Sequence, residues 1–129
     1  MGGYATKNIS LLGWLDREQI KNHLCYWKFS LLVSDTEGLP NALLETMGYG
    51  IPNIITPVGA IKDVVNNNNS IILDCGSADS ILVGLDESMK INEKQYLSMA
   101  NNNFLLIKKQ YSLENARANF IKTLEGEKQ

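Results

Sequence analysis

The stretch SDTEGLPNALLETMGYGIP, residues 34–52, opens on the last residue of the apolar run FSLLVS (29–34) and carries two glutamates, Glu37 and Glu45, around a Gly-Leu-Pro turn. Consecutive rather than alternating apolar residues in FSLLVS predict a strand buried on both faces. Pro40 predicts the start of a helix, because its fixed φ and missing N–H suit the first turn. Gly50 and Pro52 predict its end. The stretch therefore reads as strand, loop and helix in succession. In an open parallel sheet, ligands bind beyond the carboxyl ends of the strands, where such loops enter helices.

Outward from this junction, short apolar runs alternate with segments of helical period. That pattern places the chain in the α/β class, with a Rossmann-like parallel sheet of about four strands flanked by helices. ISLLG (9–13) reads as the first strand, and Asp16 with Gln19 as a capping box opening a helix to Trp27, striped by Ile20, Leu24 and Trp27. NIIT (53–56) and SIILD (70–74) supply two more strands, with a brief helix carrying Ile61, Val64 and Val65 between them and the NNNN run as a turn. Asp79 is expected to cap a helix whose apolar face is Ile81, Leu82, Leu85 and Met89, weakened at Gly84 by about 1 kcal/mol relative to alanine. Two further helices fill the remainder, the last capped by Ser112 and striped by Leu113, Ala116, Phe120 and Leu124.

Composition limits what this domain can do. The 129 residues suffice for one hydrophobic core and read as a single unit, 1–129. With 12 basic and 14 acidic residues the net charge is −2, which offers no attraction to nucleic acid or to an anionic membrane. Cys25 and Cys75 lie far apart and outside any CxxC spacing, as expected of buried thiols in a reducing cytoplasm. No apolar run approaches the ~20 residues of a membrane span, and MGGYATKNIS lacks the charged and apolar regions of a signal peptide.

The loop-to-helix entry carries the chemistry. Unpaired N–H groups from Gly38 to Ala42, with the positive end of the helix dipole behind them, make an anion site that a glycine at 38 leaves open to close approach. Glu45, in the second helical turn, could accept two ribose hydroxyls. The residues also admit plainer accounts: the dipole favours a glutamate near a helix start, and Gly-x-Pro is an ordinary helix entry. A glycosidase-like pair of Glu37 and Glu45 would need a separation of ~5 to 9 Å that spacing does not supply. His23 lacks a neighbouring nucleophile and reads as a half-exposed packing residue. Asp35 with Glu37 is too little for a hard cation, so no metal site is expected.

The segment SDTEGLPNALLETMGYGIPNIITPVGAIKDVV (34–65) resembles the signature of the retaining GT-B glycosyltransferases of the family 4 type: a glutamate, seven residues, a second glutamate, then Gly-x-Pro and Thr-x-x-Gly. ISLLGWLDREQIKNHL and YSLENARANF are similar to that family's flanking elements. The resemblance implies a partial C-terminal, nucleotide-sugar-binding half of a GT-B fold. It implies that Glu45 holds the ribose of the donor and that Glu37, the catalytic candidate, contacts donor-sugar hydroxyls. Gly38, Leu39 and Pro40 would lie near the sugar and phosphate, Leu44 against the nucleotide, and Thr56 and Gly59 in the next loop. The chain departs from the pattern at Ala60, Asp63 and Ser70.

The implied activity is transfer of a sugar, with retention, from a nucleotide-diphosphate sugar to a saccharide or lipid-linked acceptor, as in polysaccharide biosynthesis. It calls for no cofactor or metal, and for a cytoplasmic enzyme, peripheral to the membrane at full length. A noncatalytic nucleotide-binding or interaction module on the same fold is the alternative. The family's acceptor domain, and the two strands bearing its diphosphate-neutralising Arg and Lys, have no counterpart here, so the chain reads as an inactive fragment. In the implied strand order ISLLG and FSLLVS flank a gap. The gap predicts that ISLLG moves beside FSLLVS in the monomer and that an exposed edge promotes self-association in solution.

Overall fold

A computed structural model describes residues 7–126 of the chain. Its elements are α1 (Arg17–Leu24), β1 (Ser30–Leu32), α2 (Asn41–Gly48), β2 (Asn53–Ile55), a 3-10 turn (Gly59–Asp63), β3 (Ser70–Ile72), α3 (Ala78–Lys90), α4 (Glu93–Gln110) and α5 (Leu113–Leu124). The strands form one parallel sheet in the order β1-β2-β3, with Leu31, Ile54 and Ile71 aligned across it.

The centre of the sheet is β2, buried at every position. Because side chains alternate along a strand, Ile55 enters one apolar cluster and Ile54 another. The first cluster joins Ile55 to Leu43 and Met47 of α2 and to Ile61, Val64 and Val65, with Leu106 and Ile107 of α4 against it. The second joins Ile54 to Ile71, Leu73 and Met99, with Val33 and Ile81 at its margin. Helices thus cover both faces, as a parallel sheet requires.

Helix ends follow local chemistry. Asp16 and Gln19 form the expected capping box on α1. At the end of α2, Gly50 is left-handed (φ 74°), and the N–H groups of Gly50 and Ile51 donate to the Met47 and Thr46 carbonyls at 2.9 and 3.0 Å. This is a Schellman closure, and it turns the chain directly into β2. The asparagine run is a turn, held further by α4: Asn102 and the fully buried Asn103 donate their side-chain amides to the Asn68 and Asn69 carbonyls.

Several expectations are overturned. Among the described residues the parallel sheet has three strands where about four were expected. Residues 9–13 join no ladder, did not move beside β1, and expose Ile9, Leu11 and Leu12, because a strand without a partner must leave its N–H and C=O groups to water. Among the described residues β1 lies at the edge of the sheet, and FSLLVS is not fully buried: Leu31 is 47 % exposed. α1 ends at Leu24, leaving Trp27 beyond it. Ser77, not Asp79, caps α3, accepting from the Ser80 N–H at 3.2 Å. Both cysteines are exposed. On α5, Ala116, Phe120 and Leu124 are exposed rather than packed, while the side chain of Leu113 lies outside the described residues.

The packing of α3 reverses the role assigned to Gly84. Leu82, Leu85 and Met89 face solvent, and Gly84 is the buried contact point. A Cβ there would stand 2.5 Å from Leu73 Cδ2 and 2.9 Å from Ile54 Cγ2. Glycine is what lets the helix reach the sheet. Gly84→Ala should therefore lower stability by about 1 to 2 kcal/mol, because overpacking at ~1 to 3 kcal/mol outweighs the ~1 kcal/mol gain in helix propensity. Denaturant midpoints of the two proteins check the sign.

Candidate functional site

The loops leaving the carboxyl ends of the three strands converge. After β1, the Ser34 backbone is clamped by Thr56, which follows β2: the Ser34 N–H donates to Thr56 Oγ1 at 2.9 Å, and that hydroxyl donates to the Ser34 carbonyl at 2.8 Å. The Thr56 N–H donates to the Leu32 carbonyl at 3.3 Å, so the pairing runs one residue past the ladder. Gly59 adopts a left-handed conformation (φ 55°), and a Cβ there would overlap the Glu37 carbonyl oxygen. A Cβ on Gly76, in the loop after β3, would come within 3.1 Å of Val33 Cγ1 and 3.7 Å of Asp35 Oδ1.

Within this crevice the sequence candidates occupy different situations. Glu37 is half-buried and its carboxylate accepts from the Ser34 hydroxyl at 3.0 Å. Gly38 faces open space, with nothing within 4 Å of where a Cβ would stand. Pro40 is the N-cap of α2 and supplies no side-chain hydrogen bond, and the helix has no acidic residue in its first turn. The first turn bonds begin at Leu43 and Leu44, both donating to the Pro40 carbonyl, so the amides of Asn41 and Ala42 lie ahead of them at the positive end of the helix dipole. Glu45 is half-buried in the second turn, and its carboxylate has no hydrogen-bond partner among the described residues.

Leu39 and Leu44 pack against the α2 cluster, and Thr56 is buried with its hydroxyl engaged. These three side chains, like Gly59, shape the crevice from within. The structure adds residues that sequence reasoning passed over: Ser34, which links Glu37 to Thr56, and the Asp74–Ser77 loop. Ser34 lies at the end of an apolar run, where only its position after a strand could have signalled it. Cys75 is fully exposed there, and hydrogen bonding with Ser77 lowers its thiol pKa.

Three surface cavities, of about 790, 580 and 390 Å³, lie respectively along the β3 edge, along the β1 edge and beside the start of α3. None takes in Glu37, Gly38 or Glu45. The crevice is an open surface, and its claim as a site rests on converging backbone and carboxylates rather than on enclosure. Among the described residues no group of three or more His, Cys, Asp or Glu is placed to hold a metal ion. No helix among them is long and apolar enough to cross a membrane.

Two outcomes check this geometry. Thr56→Val should cost about 1 kcal/mol, since it removes the partner of the half-buried Ser34 amide and carbonyl; thermal and denaturant unfolding measure it. A lowered thiol pKa means more thiolate at neutral pH, so Ser77→Ala should slow alkylation of Cys75 by iodoacetamide, read by mass spectrometry.

No curated protein matches the sequence. The structure is similar to sucrose-phosphate synthase from Thermosynechococcus elongatus, with a TM-score of 0.77 at 14 % identity over 92 % of this chain and 31 % of that one. It is also similar to the C-terminal domain of a glycosyl transferase group 1 family protein, LpcC, from Francisella tularensis, with a TM-score of 0.68 at 23 % identity over 79 % of this chain and 53 % of that one. At these identities the likeness is one of fold, that of a GT-B C-terminal domain, and the chain spans about a third and about half of the two structures. The family of glycosyl transferases group 1 matches residues 5–105, and the chain belongs to that family.

Proposed function

We propose that this chain supplies part of the donor site of a retaining glycosyltransferase, which transfers a sugar from a nucleotide-diphosphate sugar to a saccharide or lipid-linked acceptor. The observation that carries the reading is the start of α2: an N-terminus capped by no side chain, open space at Gly38, and the unpartnered carboxylate of Glu45 one turn behind. Amides at a helix N-terminus suit a phosphate, and a carboxylate with free lone pairs suits vicinal ribose hydroxyls.

In this reading Glu45 holds the ribose. Glu37, oriented by Ser34, contacts hydroxyls of the sugar being transferred. The amides of Gly38 and Leu39, with Pro40 fixing the entry into the helix, face the sugar and phosphate. Leu44 supports the nucleotide from the core side, and Thr56 and Gly59 hold the Glu37 loop in register. Catalysis then consists of orienting the donor and stabilising the departing diphosphate. In this reading the acceptor-binding site and the cations that neutralise the diphosphate belong to polypeptide other than residues 1–129, which form part of a donor-binding domain.

In the full-length enzyme Glu45→Gln should weaken donor binding by about 1.5 to 3 kcal/mol with little change in melting temperature. Glu37→Gln should act mainly on kcat, because its contacts strengthen as charge develops in the transition state. Donor KM, kcat and thermal midpoint for both variants test this, and unchanged kinetics for Glu45→Gln would refute the ribose assignment. The present chain alone should bind UDP, GDP or ADP no better than about millimolar, roughly −4 kcal/mol. Micromolar binding by calorimetry, or turnover without further polypeptide, overturns the division of labour proposed here. Donor binding without turnover at full length would favour a noncatalytic module.

A further inference from the structure

Thr56, Gly59 and Gly76 approach the loop that carries Glu37 from three directions. Thr56 clamps the Ser34 backbone, and Gly59 lies against the Glu37 carbonyl. Gly76 comes from the loop after β3, so close that a Cβ on it would stand 3.1 Å from Val33 Cγ1 and 3.7 Å from Asp35 Oδ1. Its φ is not left-handed, so an alanine there would be opposed by contact alone and not by backbone strain.

Neither side of this contact can retreat. The loop after β3 is pinned at both ends: Leu73 is buried with its N–H donating to the Ile55 carbonyl at 2.9 Å, and Ser77 caps α3, which rests on the sheet at Gly84. Val33 is backed by the cluster of Ile54, Ile71, Leu73 and Met99. A close-packed interior passes a displacement on rather than absorbing it. What yields is the segment after Val33, where Asp35 and Thr36 are exposed and Glu37 follows.

We infer that Gly76 is a positioning residue for Glu37: its missing side chain sets how far the Glu37 loop leans toward the loop after β3, and so where the carboxylate meets the transferred sugar. The inference rests on the donor-site reading of Glu37. Glu45 is carried by α2, no atom of which lies within 4 Å of the Cβ position on Gly76, so the ribose end of the donor is untouched. A misplacement of ~1 Å at a reacting centre can cost about 100-fold in rate, and a shift of a few tenths of that costs correspondingly less.

In the full-length enzyme, assayed with a panel of UDP-, GDP- and ADP-sugars, Gly76→Ala should lower kcat about five- to tenfold and leave donor KM within about twofold. The loss should vanish in a Glu37→Gln background, because an effect exerted through that carboxylate has already been taken. Val33→Ala removes Cγ1 and should restore kcat to the Gly76→Ala protein. In the present chain, amide NMR shifts caused by Gly76→Ala should extend to residues 34–38 and spare α2. Unchanged kcat for Gly76→Ala, where Glu37→Gln is impaired, overturns this inference alone. So does an equal loss in both backgrounds, absence of rescue by Val33→Ala, amide shifts confined to residues 74–78, or a lowered thermal midpoint without a kinetic change. Unaltered kinetics for Glu37→Gln itself, or no turnover with any donor, overturns the donor-site reading and this inference with it.

Discussion

The burial of β2 on both faces is the constraint on which the rest of the structure depends. Ile54 and Ile55 enter opposite clusters, and each buried side chain contributes about 1.5 to 3 kcal/mol toward holding a layer of helix against the sheet. A strand in that position must satisfy its backbone in the sheet plane, which brings β1 and β3 to either side. The loops after the three strands then have no choice but to emerge together at one end.

The two ends of the sheet have opposite chemistry. At the amino ends, buried amides seal the structure: Asn53 accepts from the Thr46 hydroxyl at 3.0 Å and donates to the Ile51 carbonyl, and Asn103 of α4 reaches Asn69. Such buried polar bonds tolerate one register and no other, because a slip would leave each amide unpaired in a low dielectric. At the carboxyl ends the polar groups point outward. Ser34 and Thr56 use each other's hydrogen-bonding capacity, while the first amides of α2 and the Glu45 carboxylate stay available. A site can form where the chain has not consumed its own donors and acceptors.

Close backbone approach explains the glycines better than local propensity does. Gly59 lets its turn lie against the Glu37 carbonyl, and Gly84 lets α3 rest on Ile54 and Leu73. In both places the neighbour is distant in sequence. A helix read alone makes Gly84 a weakness, and a helix read on its sheet makes it a contact.

What the sequence by itself determined is therefore local and periodic. The junction at 34–52, with strand, loop, proline-entered helix and glycine stop, was legible because each signal acts within a few residues, and so were the Asp16 and Ser112 caps and the turn character of the asparagine run. Glu37 and Glu45 could be singled out by spacing and family likeness. Which partner each side chain meets was decided only by the tertiary structure: that ISLLG finds no ladder and β1 lies at the edge among the described residues, that Ser34 joins Glu37 to Thr56, and that Leu39 and Leu44 pack inward. The physical reason is that strand pairing, burial and close approach are properties of pairs distant along the chain. A one-dimensional pattern specifies each member and leaves open which other it will face.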